Sequence, residues 1–212
     1  IPEISFDLPL TEAALRSFDR TMPEEVNRTI ADRLSALLFC PTATAVANLA
    51  REGVSEGVSL VGDVMNDLAL RCSEAGAGDD VLAAHDLRPG GYLYATVHRP
   101  QNADSPERLA AILGGLSAAG EPVFLALHPR TRLTVEREGL AAGLAPSLIL
   151  AEPVGYLESL ALTRNARAVV TDSGGLQKEA YVLGTPCVTL RDSTEWVETV
   201  AAGWNRLVDA DP

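Results

Sequence analysis

The chain has 212 residues, enough for one large or two small domains with a substantial core. Hydrophobic residues make up 47% and charged residues 22%, the makeup of an ordinary globular protein. A net charge of −12 and an isoelectric point near 4.6 argue against nucleic acid or a membrane surface as partner, because both polyanions would repel it.

In chain order, residues 1–10 offer at most one short strand. An amphipathic helix is predicted over 24–35, an apolar strand over 37–40 ending at Pro41-Thr42, and a helix over 43–52. A strand over 58–61 ends at Gly62-Asp63. Residues 73–91 are rich in Gly, Ala, Asp and Pro and read as a linker between domains 1–72 and 92–212. Further strands follow at 92–97, 123–127, 147–150, 168–170 and 186–190, separated by predicted helices over 105–118, 156–165 and 176–183. Strands that are continuous apolar runs, alternating with helices, imply a doubly wound α/β fold whose parallel sheet is covered on both faces.

The three cysteines, Cys40, Cys72 and Cys187, form no CxxC or Cys/His cluster. Cys40 and Cys187 lie in apolar runs and read as core thiols. No metal is expected, and the pattern suits a reducing, cytoplasmic compartment. No apolar stretch of membrane-spanning length or signal-peptide pattern is visible.

In open parallel sheets ligands bind outside the carboxyl ends of the strands. The polar residues predicted there are His98 and Arg99, His128, Ser173 with Gly174 and Gly175, and Arg191. The segment Thr171-Asp172-Ser173-Gly174-Gly175-Leu176-Gln177-Lys178-Glu179 is a strand breaking through a small-residue turn into a helix. Free N–H groups and the positive dipole end at such a turn suit a phosphate or diphosphate. Ser173 adds a hydroxyl, and Glu179 could accept from sugar hydroxyls. Both arginines could neutralise phosphate. In the N-terminal part, Pro23-Glu24-Glu25 reads either as dipole and capping chemistry at a helix start or, with Glu12 and His98, as an acid/base set.

Taken together, eight stretches in order resemble the non-hydrolysing UDP-N-acetylglucosamine 2-epimerase family, including its UDP-diacetamido-glucuronate relatives. They are Glu12-Ala13-Ala14-Leu15-Arg16-Ser17, Met22-Pro23-Glu24-Glu25-Val26-Asn27-Arg28, Cys40-Pro41-Thr42, Val61-Gly62-Asp63, Thr96-Val97-His98-Arg99, Leu127-His128-Pro129, residues 171–179 and residues 190–198. The resemblance implies two Rossmann-like domains of the GT-B type, the N-terminal one incomplete in this chain. It implies epimerisation at C2 of a UDP-linked 2-acetamido sugar: removal of the C2 proton, elimination of UDP, then re-addition with the proton returned to the other face. No metal or nicotinamide is implied, since the sequence of steps leaves no net redox change. Glu12, Glu24 and His98 match the catalytic positions. Ser173, Gly174 and Gly175 match the diphosphate cradle, Glu179 the ribose ligand, and Arg99, His128 and Arg191 the surrounding phosphate and sugar contacts. A homodimer is implied as well.

The chain departs from the family pattern at three places. Ala14 replaces a glycine, which crowds a turn beside a catalytic carboxylate. Pro100-Gln101-Asn102 replaces Arg-Glu-Asn near a regulatory region, and Thr194-Glu195-Trp196 replaces Thr-Glu-Arg. The family has about a hundred residues before the position of Glu12 and a C-terminal helical tail, so the chain reads as shortened at both ends. The alternatives to an active epimerase are a UDP-binding module without turnover and a GT-B glycosyltransferase.

Overall fold

The computed structural model describes residues 9–11, 13–20 and 22–210, with backbone alone for 9–11. The chain forms two compact units, residues 1–67 with 193–195, and residues 68–192 with 196–212.

The first unit is built on a three-stranded parallel sheet in the order β1-β2-β3, comprising β1 (Pro9–Thr11), β2 (Leu37–Cys40) and β3 (Val58–Leu60). Helix α1 (Pro23–Leu34) connects β1 to β2, and α2 (Ala43–Arg51) connects β2 to β3. Proline at the first position of α1 gives up no helical hydrogen bond there, and Arg33 sits favourably in its last turn. Thr42 caps α2 by accepting from the Ala45 N–H at 3.2 Å. Leu38, Cys40, Ala45 and Leu49 pack with Ala13 and Ala14 into a small core. Helix α3 (Val64–Glu74) begins in this unit and ends in the second.

The second unit contains α4 (Asp80–Ala84), β4 (Leu93–Val97), α5 (Pro100–Ala103), α6 (Pro106–Ser117), β5 (Val123–Leu127), α7 (Pro129–Arg137) and β6 (Leu148–Ala151). These are followed by α8 (Tyr156–Asn165), β7 (Ala168–Thr171), α9 (Gly174–Val182), β8 (Cys187–Thr189), α10 (Val197–Ala201) and β9 (Asn205–Leu207). The six strands pair in parallel in the order β6-β5-β4-β7-β8-β9. The winding therefore reverses between β4 and β7, which opens a crevice at their carboxyl ends.

Alternation along each strand divides the apolar side chains between the two faces. Tyr92, Tyr94, Phe124 and Val169 enter one core, while Leu93, Ala95, Val97, Val123, Leu125 and Leu127 enter the other. Each buried phenol finds a partner. The Tyr92 hydroxyl donates to the Leu162 carbonyl at 2.7 Å, and the Tyr94 hydroxyl lies 3.0 Å from Ser159 Oγ. Burial pushes the Tyr94 hydroxyl up to about 12, so it stays a neutral donor or acceptor. Cys40 and Cys187 are buried free thiols, as the apolar runs around them imply. Among the described residues no helix is long and apolar enough to cross a membrane, and no cluster of His, Cys, Asp or Glu could hold a metal ion.

Candidate active site

In the second unit, the residues that follow β4, β5 and β7 line a cavity of about 270 Å³. Thr96, His98, His128, Ser173, Gly175 and Glu179 all contribute to its wall. The register explains the convergence. Thr96 pairs with Thr171 across the switch point, with their hydroxyls 2.7 Å apart, so the next residues of both strands leave the sheet together.

Ser173 caps α9. It is extended (φ −80°, ψ 123°), its Oγ accepts from the Leu176 N–H at 3.4 Å, and its own N–H donates to Thr171 Oγ1 at 2.9 Å. Gly175 opens the helix on its exposed side. Neither its backbone nor its neighbours demand glycine: its φ is not positive, and an added Cβ would meet nothing nearer than Ser173 Oγ at 3.9 Å. Gly175 lies in the first turn of α9, at a helix N-terminus suited to an anion. Glu179, about one turn further along α9, is half-buried. Burial pushes its carboxyl above the usual range, while a hydrogen bond with Tyr156 and the charge of Lys178 pull it back.

Asp172 lies behind this wall, next to Ser173 in the chain. It is completely buried, and its carboxylate accepts from the His98 N–H at 3.1 Å to both oxygens, the Arg99 N–H at 2.9 Å and Asn102 Nδ2 at 3.1 Å. Asn102 also donates to the Leu190 carbonyl at 3.0 Å, and its Oδ1 accepts from Arg108 Nε and Nη2 at 3.2 and 3.1 Å. One carboxylate and one amide thus tie together the turns after β4, β7 and β8. Neither was singled out as a site residue from the sequence, although Asp172 lies inside the motif. A buried acid between a strand and its turn was the available signal.

The His98 and His128 rings lie 5.8 Å apart. Burial draws His98 below its ordinary value. Asp172 works against that, whereas Arg99 and His128 reinforce it. The imidazole is therefore neutral near pH 7 and able to take a proton. Arg99 and Arg191 follow β4 and β8 as expected, but the cavity wall includes neither; Arg191 is 5% exposed.

In the first unit, Glu12 lies outside the described residues. Glu24 is exposed in the first turn of α1, and the adjacent Glu25 is 3% exposed. The two neighbours differ in what they do. Glu25 accepts from the Ser17 N–H at 3.0 Å, the Ser17 hydroxyl at 3.1 Å and the Phe18 N–H at 3.2 Å, holding the loop after β1 against α1. The same loop is held by Asp32, which accepts from the Ala14 N–H at 3.2 Å and Arg16 Nη2 at 2.6 Å. A cavity of about 470 Å³ beside α1 is lined by Phe18, Val26 and Ile30 together with Glu25. It is larger than the strand-end cavity and also includes Arg20, Arg33 and Glu52, but no imidazole lies in its wall.

Ala14 has φ 61°, the left-handed region that disfavours a Cβ. Glycine would carry no such strain at this position, and Ala14 is held in place by Asp32 on its N–H and Asn48 on its carbonyl, the latter at 3.0 Å. Ala14→Gly is expected to stabilise the protein. Relief of about 1–2 kcal/mol of strain exceeds the roughly 0.4–1 kcal/mol lost to a freer unfolded chain, so a small rise in the urea midpoint is the readout. A fall in that midpoint would contradict the strain.

The family model for UDP-N-acetylglucosamine 2-epimerase matches residues 11–212. The chain is 44% identical over 213 residues to a UDP-N-acetylglucosamine 2-epimerase homolog of Methanococcus maripaludis, a match covering 99% of this chain and 60% of that protein. It is 46% identical to the UDP-2,3-diacetamido-2,3-dideoxy-D-glucuronate 2-epimerase of Pseudomonas aeruginosa, covering 94% of this chain and 56% of that one. Among solved structures, the UDP-GlcNAc 2-epimerase of Methanocaldococcus jannaschii in complex with UDP-GlcNAc and UDP superposes with a TM-score of 0.88 at 40% identity. That match covers 97% of this chain and 59% of the other. The chain thus spans about three fifths of the length of these relatives. Its two parallel α/β units are of the GT-B type expected from the sequence. With a model match over residues 11–212 and such identity throughout, the chain belongs to the UDP-N-acetylglucosamine 2-epimerase family.

Proposed function

We propose that the chain takes part in epimerising a UDP-linked 2-acetamido sugar at C2. The observation that carries the reading is the strand-end cavity, in which two imidazoles, the N-terminus of α9 with Ser173 and Gly175, and the half-buried Glu179 carboxylate meet. The helix N-terminus with Ser173, Gly174 and Gly175 takes the diphosphate. Glu179 accepts from the ribose hydroxyls and His128 makes a further phosphate or sugar contact, while Arg99 and Arg191, outside the cavity wall, add positive charge from the ends of β4 and β8. A base of the set Glu12, Glu24 and His98 removes the C2 proton; the C–H electrons form the C1–C2 double bond as the C1–O bond breaks and UDP leaves. Re-addition of UDP at C1, with a proton delivered to the opposite face of C2, completes inversion. Atoms and electrons balance without a redox partner. The reading takes the protein to work in the cytoplasm as a homodimer, with residues 92–212 as the UDP-binding domain.

Incubation with UDP-N-acetylglucosamine in deuterated water should place deuterium at C2 of the sugar. UDP titrated calorimetrically should bind, and Ser173→Ala and Glu179→Ala should each weaken it by roughly 1–3 kcal/mol, the consequence of leaving a buried polar partner unmatched. Binding with no deuterium would favour the second reading, a UDP-binding module, which the self-contained six-stranded unit also supports. Sugar transfer to an acceptor without epimerisation would point to a glycosyltransferase.

A further inference from the structure

We infer that Asp172 is a positioning residue that holds His98 with its proton on Nδ1, and that the neighbouring His128 is held in the opposite tautomer. The inference deepens the proposed function, since it rests on His98 being the group that carries the proton.

The argument begins from donors and acceptors. A carboxylate has no proton to give, so a nitrogen lying against it is favourable only when that nitrogen carries hydrogen. Asp172 Oδ1 stands 3.3 Å from His98 Nδ1. Asp172 cannot turn away, because it is completely buried and the His98, Arg99 and Asn102 N–H groups converge on its two oxygens. The same amides fix the backbone that carries the ring. A neutral imidazole has one N–H, so a proton on Nδ1 leaves Nε2 as the bare, basic nitrogen.

His128 is wired the other way. It caps α7, and its Nδ1 accepts from the Arg130 N–H at 3.2 Å. A nitrogen that accepts must keep its lone pair, so the neutral ring carries its proton on Nε2. Both imidazoles line the same cavity. One therefore presents a base and its neighbour an N–H donor. Two identical side chains take different work, a proton carrier and a hydrogen-bond donor to a phosphate or hydroxyl oxygen, and the choice is made by what stands behind each ring. Arg99, also beside His98, opposes a second positive charge there, and burial does the same.

The chain has three histidines, His85, His98 and His128, which makes the test tractable. Two-bond proton–nitrogen correlation spectra of the histidine-labelled protein, recorded where the rings are neutral and assigned with single His→Gln variants, report each tautomer. His98 is expected with a protonated Nδ1 and a bare Nε2, and His128 with the reverse. In Asp172→Asn the His98 preference should shift towards a protonated Nε2 while His128 is unchanged. The kcat for C2 exchange should fall at least tenfold, with UDP affinity held within about threefold. A wild-type His98 protonated on Nε2 would overturn the inference, and this spectrum decides even if the Asp172 variant does not fold. A folded Asp172→Asn protein with an unaltered His98 tautomer would overturn it equally. Absence of exchange or of UDP binding in the wild type bears instead on the proposed function, because the tautomers are read without ligand.

Discussion

His98→Gln is expected to lower C2 deuterium exchange about 10²–10⁴-fold, the usual contribution of a positioned acid or base. UDP affinity should change little. Glutamine retains a polar, similarly sized side chain on the same amide-anchored backbone, so the cavity and the α9 N-terminus stay in place. What it lacks is a nitrogen that can take and return a proton near neutral pH. Single-turnover exchange measured beside a UDP titration separates the two effects. Exchange within tenfold of the wild type would remove His98 from proton transfer and leave the task to the glutamates of the first unit.

Asp32→Ala is expected to destabilise the first unit by about 3 kcal/mol, at the lower end of what breaking a buried ion pair does. Asp32 and Arg16 have side chains only 1% and 2% exposed, so water cannot replace the lost partner. Arg16 keeps Glu52, at 2.8 Å and 25% exposed, which is why the lower end applies. The Arg16 hydrogen bond also holds the Glu52 carboxyl below its usual range, so that pairing persists to lower pH than an ordinary glutamate would allow. The same substitution frees the N–H of Ala14, the residue held at positive φ. Arg16→Met added to Asp32→Ala should recover part of the loss, because no uncompensated buried charge then remains. The unmatched Ala14 amide keeps the recovery incomplete, by about 1–3 kcal/mol. Urea unfolding of the single and double variants checks both statements. A loss below about 1 kcal/mol for Asp32→Ala would show that the pair does not organise this loop.

The central strands were legible in the sequence because both their faces are buried. β4, β5 and β7 read as unbroken apolar runs, and the helices over α1, α2, α6 and α8 appeared within a residue of their observed ends. The elements that escaped are those whose stability comes from their neighbours. β9 is the three-residue edge strand Asn205-Arg206-Leu207, aligned by its pairing with β8, and α7 is a polar helix following His128-Pro129. Helix α3 and the short helices α4, α5 and α10, of four or five residues each, were likewise not read. Glu25 and Asp32 were also illegible as positioning groups. An acid in a first turn and an acid in a helix have the same local signature whether they face water or a buried amide.

By itself, the sequence determined the α/β class, the family and the chemical inventory of the strand ends, because each of these depends on residues adjacent in the chain. His98, Ser173 and Glu179 could be named, and the helix N-terminus at Gly174 and Gly175 could be read as an anion site. Which of them share one cavity was decided only by the tertiary structure. The strand order places β4 beside β7, so residues 98 and 173, far apart in the chain, leave the sheet side by side, while Arg99 and Arg191 stay out of the cavity wall. The tertiary structure likewise decided that Asp172 lies behind His98 and a backbone amide behind His128. That difference is invisible in the residues themselves, since a histidine's tautomer is set by its partner across space and not by its neighbours along the chain.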